Sequence, residues 1–133
     1  MNYALDTNVI ISILHLFQNV CQNFNAAVER GDSIIIPPIV HYEMRRGFLC
    51  KSVPKNENAY QIFVKKHHIG KMNANILECG ANIYADLWAK RLTIGELDIL
   101  IAAFCIENDY TLVTDNIKHF EVIGELKTVN WKL

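Results

Sequence analysis

Asp6, Glu43, Asp98, Asp115 and Asn116 are the side chains of this sequence whose types could do chemistry together. All are oxygen donors, and a cluster of them without His or Cys suits a hard cation, Mg²⁺ or Mn²⁺. Gathered carboxylates repel one another, which raises their pKa values unless a cation sits between them. Taken singly, each has an ordinary alternative. Asp6 could cap a helix, Glu43 could lie on a helix surface at the margin of the apolar Val40, Met44, Phe48 stripe, and Asp115 or Asn116 could serve a turn. Glu96, three residues after Thr93, reads as a capping-box partner rather than a ligand. Asp98 resists such an explanation. It stands inside Leu97–Ile106, a run apolar nearly all round, where a buried helix is expected. A carboxylate heading such a helix is costly unless something pairs with it, although the helix dipole favours its ionised form.

For these groups to meet, the chain must bring them to one edge. Asn2–Asp6 reads as a first strand, Val9–Phe17 as a buried helix, and Val20–Arg30 as a second helix ended by Gly31. Ser33–Ile36 is a β-branched strand stopped by Pro37-Pro38, the second proline suiting the first turn of a helix to about Leu49. Lys51–Asn58 reads as a polar loop, Asn58–Lys66 as a short helix, and His67–Met72 as a weak strand or connector. Helices are expected over Asn75–Leu92 and from Thr93 to Glu107, then strand Thr111–Thr114, a helical turn Ile117–Phe120 and strand Lys127–Asn130. Short apolar strands alternating with helices indicate an α/β layered domain around a mainly parallel sheet. Such sheets bind ligands beyond the carboxyl ends of their strands. Asp6, Glu43 and the Asp115-Asn116 pair each belong to a strand-to-helix junction, and Asp98 joins them from a helix N-terminus.

Other chemistries lack their residues. The five histidines form no nucleophilic triad: His15 falls in an apolar helix, His67 and His68 in a basic segment, and His119 after the acidic turn, on a helix surface or against substrate. There is no Gly-rich phosphate loop and no Ser nucleophile elbow. Cys21, Cys50, Cys79 and Cys105 are far apart without a Cys-x-x-Cys pair, and read as reduced core thiols rather than zinc ligands. At 133 residues, 51% hydrophobic and 20% charged, the chain is expected to fold as a single domain, residues 1–133, and is too apolar to be disordered. No apolar run approaches the roughly 20 residues of a membrane span, and Met1–Asp6 lacks the basic start of a signal peptide. A soluble, cytoplasmic protein is expected. Net charge is −1, yet nine of the 13 basic residues and only three acids lie between Arg45 and Arg91, a segment at +6 on a remainder at −7. A basic middle of this kind can be the footprint of a phosphate backbone or a set of solvated helix faces.

Four motifs in order carry a resemblance: Leu5-Asp6-Thr7-Asn8, His41-Tyr42-Glu43-Met44-Arg45-Arg46-Gly47, Asp98-Ile99-Leu100-Ile101-Ala102-Ala103, and Leu112 through Phe120. Together they resemble the motifs of PIN domains, and more narrowly those of VapC-type toxins of bacterial toxin–antitoxin pairs, over almost the whole chain. The resemblance implies a three-layer α/β/α fold and one or two divalent cations held by acids that map onto Asp6, Glu43 and Asp98. The fourth family position, often Asp, is Asn116 here, with Asp115 as a spare carboxylate beside it. It further implies a ribonuclease, commonly dimeric, silenced by an antitoxin whose tail blocks the acidic site. The expected activity is metal-dependent endoribonuclease cleavage leaving 5′-phosphate and 3′-hydroxyl ends, with Mg²⁺ or Mn²⁺ polarising the phosphodiester. Thr7, Asn8 and Thr114 beside the acids, and Arg45, Arg46, Lys65 and Lys66 of the basic segment, are the expected substrate contacts. A non-catalytic PIN-fold RNA- or protein-binding module is the alternative, against which the intact three acids speak. A haloacid-dehalogenase-like phosphatase would need a second Asp where Asn8 stands.

Overall fold

Strands bounded by Asp6, Pro37 and Thr114 are too short and too apolar on both faces to stand at a surface. The computed structural model, which describes residues 1–133, puts them at the centre. Strands β1 (Asn2–Leu5), β2 (Ser33–Ile35), β3 (Thr111–Val113) and β4 (Thr128–Val129) form one sheet in the order β2-β1-β3-β4. Every neighbouring pair is parallel, with Ala4 opposite Ile35 and Leu112, and Val113 opposite Val129. Ala4, Leu5, Leu112 and Val113 are fully buried, as covered parallel strands require. The helices are α1 (Thr7–Leu14), α2 (Gln18–Glu29), α3 (Pro38–Cys50), α4 (Pro54–His67), α5 (Ala74–Ala89), α6 (Glu96–Asn108) and the single turn α7 (Ile117–Phe120). The architecture is the expected layered α/β fold, and because all strands run the same way, their carboxyl ends share one edge. No helix is long and apolar enough to cross a membrane.

Local chemistry explains the element ends. Gly31 closes α2 at φ +80°, the left-handed region glycine takes without strain, while its N–H and that of Asp32 return to Val28 and Ala27. Pro38 opens α3, where a missing N–H costs nothing. The Asn73 side chain caps α5 by accepting from the Ile76 N–H at 2.9 Å.

Several expectations are corrected. The loop expected over Lys51–Asn58 is largely helical, because Pro54 starts α4 and Glu57 in its first turn and Lys65 and Lys66 in its last turn complement the helix dipole. The Thr93–Glu96 capping box does not form: Glu96 is the first residue of α6 and Gly95 its unassisted N-cap. The run Val9–Phe17 is not buried throughout. Helix α1 ends at Leu14, Leu16 turns back at φ 59°, and Ile11, His15, Leu16 and Phe17 are exposed. Cys50 is exposed at the end of α3 rather than in the core. The segment after α4 makes one parallel bridge, Ile69 to Ile36, with the Gly70 N–H donating to the Ile36 carbonyl at 2.8 Å. Gly70 has no room for a side chain there, since a Cβ would lie 2.3 Å from Phe104 Cζ.

Candidate active site

Asp6 follows the last residue of β1 and begins α1. Its Oδ1 accepts from the Thr7 N–H at 2.9 Å, so it does cap the helix, and its Oδ2 accepts from the Thr114 hydroxyl at 2.8 Å. Thr114 itself is fully buried just beyond β3, and its hydroxyl also accepts from the Asn116 N–H at 3.1 Å. One hydroxyl thus ties the ends of the two central strands together. Burial holds the Asp6 carboxyl above the ordinary carboxylate range, with the Asp98 and Glu43 charges pushing the same way and the Thr114 and Thr7 bonds opposing them. The three acids therefore share one electrostatic neighbourhood.

Glu43 stands on α3, half-buried, with Oε1 accepting from the Thr7 hydroxyl at 2.9 Å and Oε2 3.9 Å from Arg46 Nη2. Asp98 lies in the first turn of α6, whose buried face comprises Ile99 and Ile101 to Cys105. The carboxylate is not on that face. It is about one-third exposed, and its partner is His119, whose Nε2 lies 2.8 Å from Asp98 Oδ2. The expected cost of an unpaired buried acid is thus avoided by exposure and by a histidine that the sequence reading put on a helix surface or against substrate, not beside Asp98. No sequence signal pointed to it, since the contact depends on how α7 (Ile117–Phe120) leans toward the start of α6.

Asn116 is exposed at the start of α7, while the Asp115 carboxylate turns to Lys132 Nζ at 2.9 Å. Asn8 is exposed on the first turn of α1. The basic residues do not gather around the acids. Arg46 is the nearest and also lies over the Tyr42 ring at 5.3 Å, whereas Arg45 is paired with Glu57 at 2.8 Å. Arg45 and Lys65 line a separate groove between α3 and α4 with His41 and Tyr60, and Lys66 is exposed on α4. A mostly apolar groove of about 290 Å³ opens directly beside Thr7 and Glu43, walled by Ile11, Leu14, Met44, Phe48 and Val53.

The donor chemistry fits a hard divalent cation. Asp6, Glu43 and Asp98 supply carboxylate oxygens, no lysine or arginine is bonded to Asp6 or Asp98, and the repulsion felt at Asp6 is what a cation would relieve. As the side chains stand, no three of them close on a single point, so holding an ion entails side-chain rotation.

The PIN domain family profile matches residues 3–126. The chain belongs to the PIN-domain family. This PIN domain is 31% identical over 132 residues to Ribonuclease VapC2 of Rickettsia felis, covering 98% of both chains. It is 27% identical over 133 residues to Ribonuclease VapC2 of Haemophilus influenzae, again 98% of each. Among solved structures, VapBC2 from Rickettsia felis bound to a DNA fragment from their promoter superposes with a TM-score of 0.90 at 30% identity, over 98% of this chain and 99% of that one. VapBC-1 from nontypeable Haemophilus influenzae superposes at 0.88 over all of both chains, and at 22% identity speaks for the fold. The resemblance carried by four motifs holds for family and fold.

Proposed function

We propose that this PIN domain is a Mg²⁺- or Mn²⁺-dependent endoribonuclease of the cytoplasm, the toxin of a type II toxin–antitoxin pair, cutting structured RNA to 5′-phosphate and 3′-hydroxyl ends. The observation that carries the reading is the buried Asp6 carboxylate, pushed up by burial and by Asp98 and Glu43 and held by Thr114 and Thr7. Evolution of a mere structural cap needs no such concentration of charge; the R. felis Ribonuclease VapC2, 31% identical over its length, supports the same reading.

Asp6, Asp98 and Glu43 would hold the ion, with Asn116 as a further oxygen. When bound, the ion supplies Lewis-acid polarisation of the phosphodiester and lowers the pKa of water. The chain's residues would do the rest. Thr7 and Thr114 fix the carboxylates they bond, and Glu43, through Oε2, the oxygen not bonded to Thr7, would orient or accept a proton from the attacking water. Arg46 beside Glu43, and Lys65 and Lys66 farther out, would meet RNA phosphates.

A cognate antitoxin is the proposed partner for the apolar groove beside Thr7 and Glu43. The solved relatives are VapBC assemblies, and Ile11 and Val53 of the groove wall are exposed large apolar residues. A second copy is the proposed partner for α5. Its exposed Leu77, Ala81, Tyr84 and Trp88 are spaced 4, 3 and 4 residues apart, so the stripe reads the same from either end. Two antiparallel copies would set Leu77 against Trp88 and Ala81 against Tyr84, large beside small at the centre.

Cleavage of an end-labelled structured RNA tests the activity. Mn²⁺ or Mg²⁺ should support cutting that EDTA stops, and Asp98→Asn should abolish it while the circular-dichroism spectrum stays unchanged. Undiminished cutting by that variant would overturn the site.

A further inference from the structure

We infer that His119 is the positioning residue for Asp98: its ring fixes one carboxylate oxygen so that the group is presented to the cation as a held ligand rather than a freely rotating one. The inference rests on the metal-dependent reading above. Asp98 is the least enclosed of the three acids' anchors, about one-third exposed at a helix start that has no side-chain cap. Asp6 is held by two donors and Glu43 by the Thr7 hydroxyl, whereas Asp98 has one hydrogen-bond partner, His119 Nε2 at 2.8 Å from Oδ2. Oδ2 also faces Gly95, whose Cβ position lies 3.8 Å away, so this oxygen is turned toward the α6 start and α7. Oδ1 is left without a protein partner.

The imidazole is held in turn. His119 packs edge-on against Phe120 at 5.2 Å between ring centroids, and Phe120 is buried, anchoring α7 in the core. Helix α7 is preceded by its N-cap residue Asn116, whose N–H is bound by the same Thr114 hydroxyl that holds Asp6. A continuous set of contacts therefore runs from Asp6 through Thr114 and α7 to His119 and Asp98. The arrangement makes the orientation of the α6 acid depend on the seating of a four-residue helix. Since a carboxylate accepts and does not donate when ionised, Nε2 carries the proton in this bond. Partners of this kind that orient a metal-binding carboxylate typically account for 10- to 100-fold in metal affinity.

Calorimetric titration of Mn²⁺ into the full-length protein reads the effect without any turnover, with thermal melts in EDTA as a fold control. His119→Ala should weaken Mn²⁺ binding by about 10- to 100-fold while melting close to the parent. His119→Gln, whose amide N–H can reach the same oxygen, should recover affinity to within about threefold, whereas His119→Leu, of similar size but without a donor, should stay as weak as His119→Ala. If His119→Ala binds Mn²⁺ as tightly as the parent while Asp98→Asn does not bind it, the metal reading stands and the positioning role fails. If Asp98→Asn itself binds Mn²⁺ like the parent, Asp98 is no ligand and both fall. If His119→Gln is as weak as His119→Ala, the hydrogen bond is not what acts and the inference is overturned.

Discussion

Thr114→Val tests whether the strand-end hydroxyl holds Asp6 in its charged form. Valine keeps the β-branched shape at a fully buried position and removes only the hydroxyl. Two bonds go: the 2.8 Å bond to Asp6 Oδ2 and the 3.1 Å bond from the Asn116 N–H. The second lies next to an exposed residue, where water can replace the lost acceptor. The first is a bond to a buried charge, a class that contributes about 1.5–3 kcal/mol. A loss of about 2 kcal/mol in a 133-residue domain, at roughly 2.1 cal/mol/K of unfolding entropy per residue, lowers Tm by about 7 °C.

The pH dependence has a definite sign. Asp6 titrates above its ordinary value in the folded chain, so the folded state binds the extra proton between the unfolded and folded values, and stability falls as pH rises through that window. The Thr114 bond favours the ionised form. Its removal therefore raises the Asp6 value further, costs most above the window, and costs least at acid pH where Asp6 is already protonated. Urea denaturation in EDTA, on Thr114→Val, Asp6→Asn and the double variant, isolates the pair. The expected result is a coupling of more than about 1 kcal/mol at neutral pH that shrinks on acidification. Equal losses from Thr114→Val in both backgrounds, within about 0.5 kcal/mol, would refute the reasoning.

Two further predictions follow from the same geometry. Because Asp115 is already paired with Lys132, Asp115→Asn should change cleavage less than about threefold, whereas Asn116→Asp, by adding a charge at the fourth family position, should tighten a second Mn²⁺ in calorimetry. Asp115→Asn as damaging as Asp6→Asn would mean that the ligand has been placed one residue off. For α5, Trp88→Glu puts a charge at the end of the exposed stripe and should convert a dimer to a monomer in sedimentation, with the fold retained; an unchanged sedimentation coefficient would refute pairing through that face.

The strands and the edge they share were legible because their cause is local: short apolar runs stopped by Pro37, Asp6 and Thr114 leave few alternatives, and parallel pairing then aligns the carboxyl ends. That Asp6, Glu43 and Asp98 share one neighbourhood was legible for the same reason, since each sits near the start of a helix. What was not legible depends on direction rather than on type. Asp98 looked buried because its neighbours are apolar, yet α6 turns that position half out to solvent. His119 looked like a surface residue because nothing in the sequence says how far α7 leans toward α6. Asp115 turns away because Lys132, 17 positions later, comes within 2.9 Å. The α4 start was misread because Lys51–Asn58 is polar in composition, while Pro54 and Glu57 occupy favourable first-turn positions. Exposed apolar residues on α1 and α5 depart from the burial pattern for a different reason: on the proposed reading those faces belong to partners.

The Asp6–Thr114 bond spans 108 residues and the Asp98–His119 bond closes the opposite side, so the acid cluster comes into being in time as well as in space. A ribosome adds about 5–20 residues per second. The 113 residues from Asp6 to His119 thus take roughly 6 to 23 s to make at that pace. Between the making of Glu43 and that of Thr114 the nascent chain holds Asp6 and Glu43 but neither the hydroxyl that steadies the first nor the turn that reaches Asp98. On the proposed reading, a nuclease assembled this way would lack a finished acid cluster until synthesis is nearly complete, and a chain cut short before Thr114 would lack it altogether.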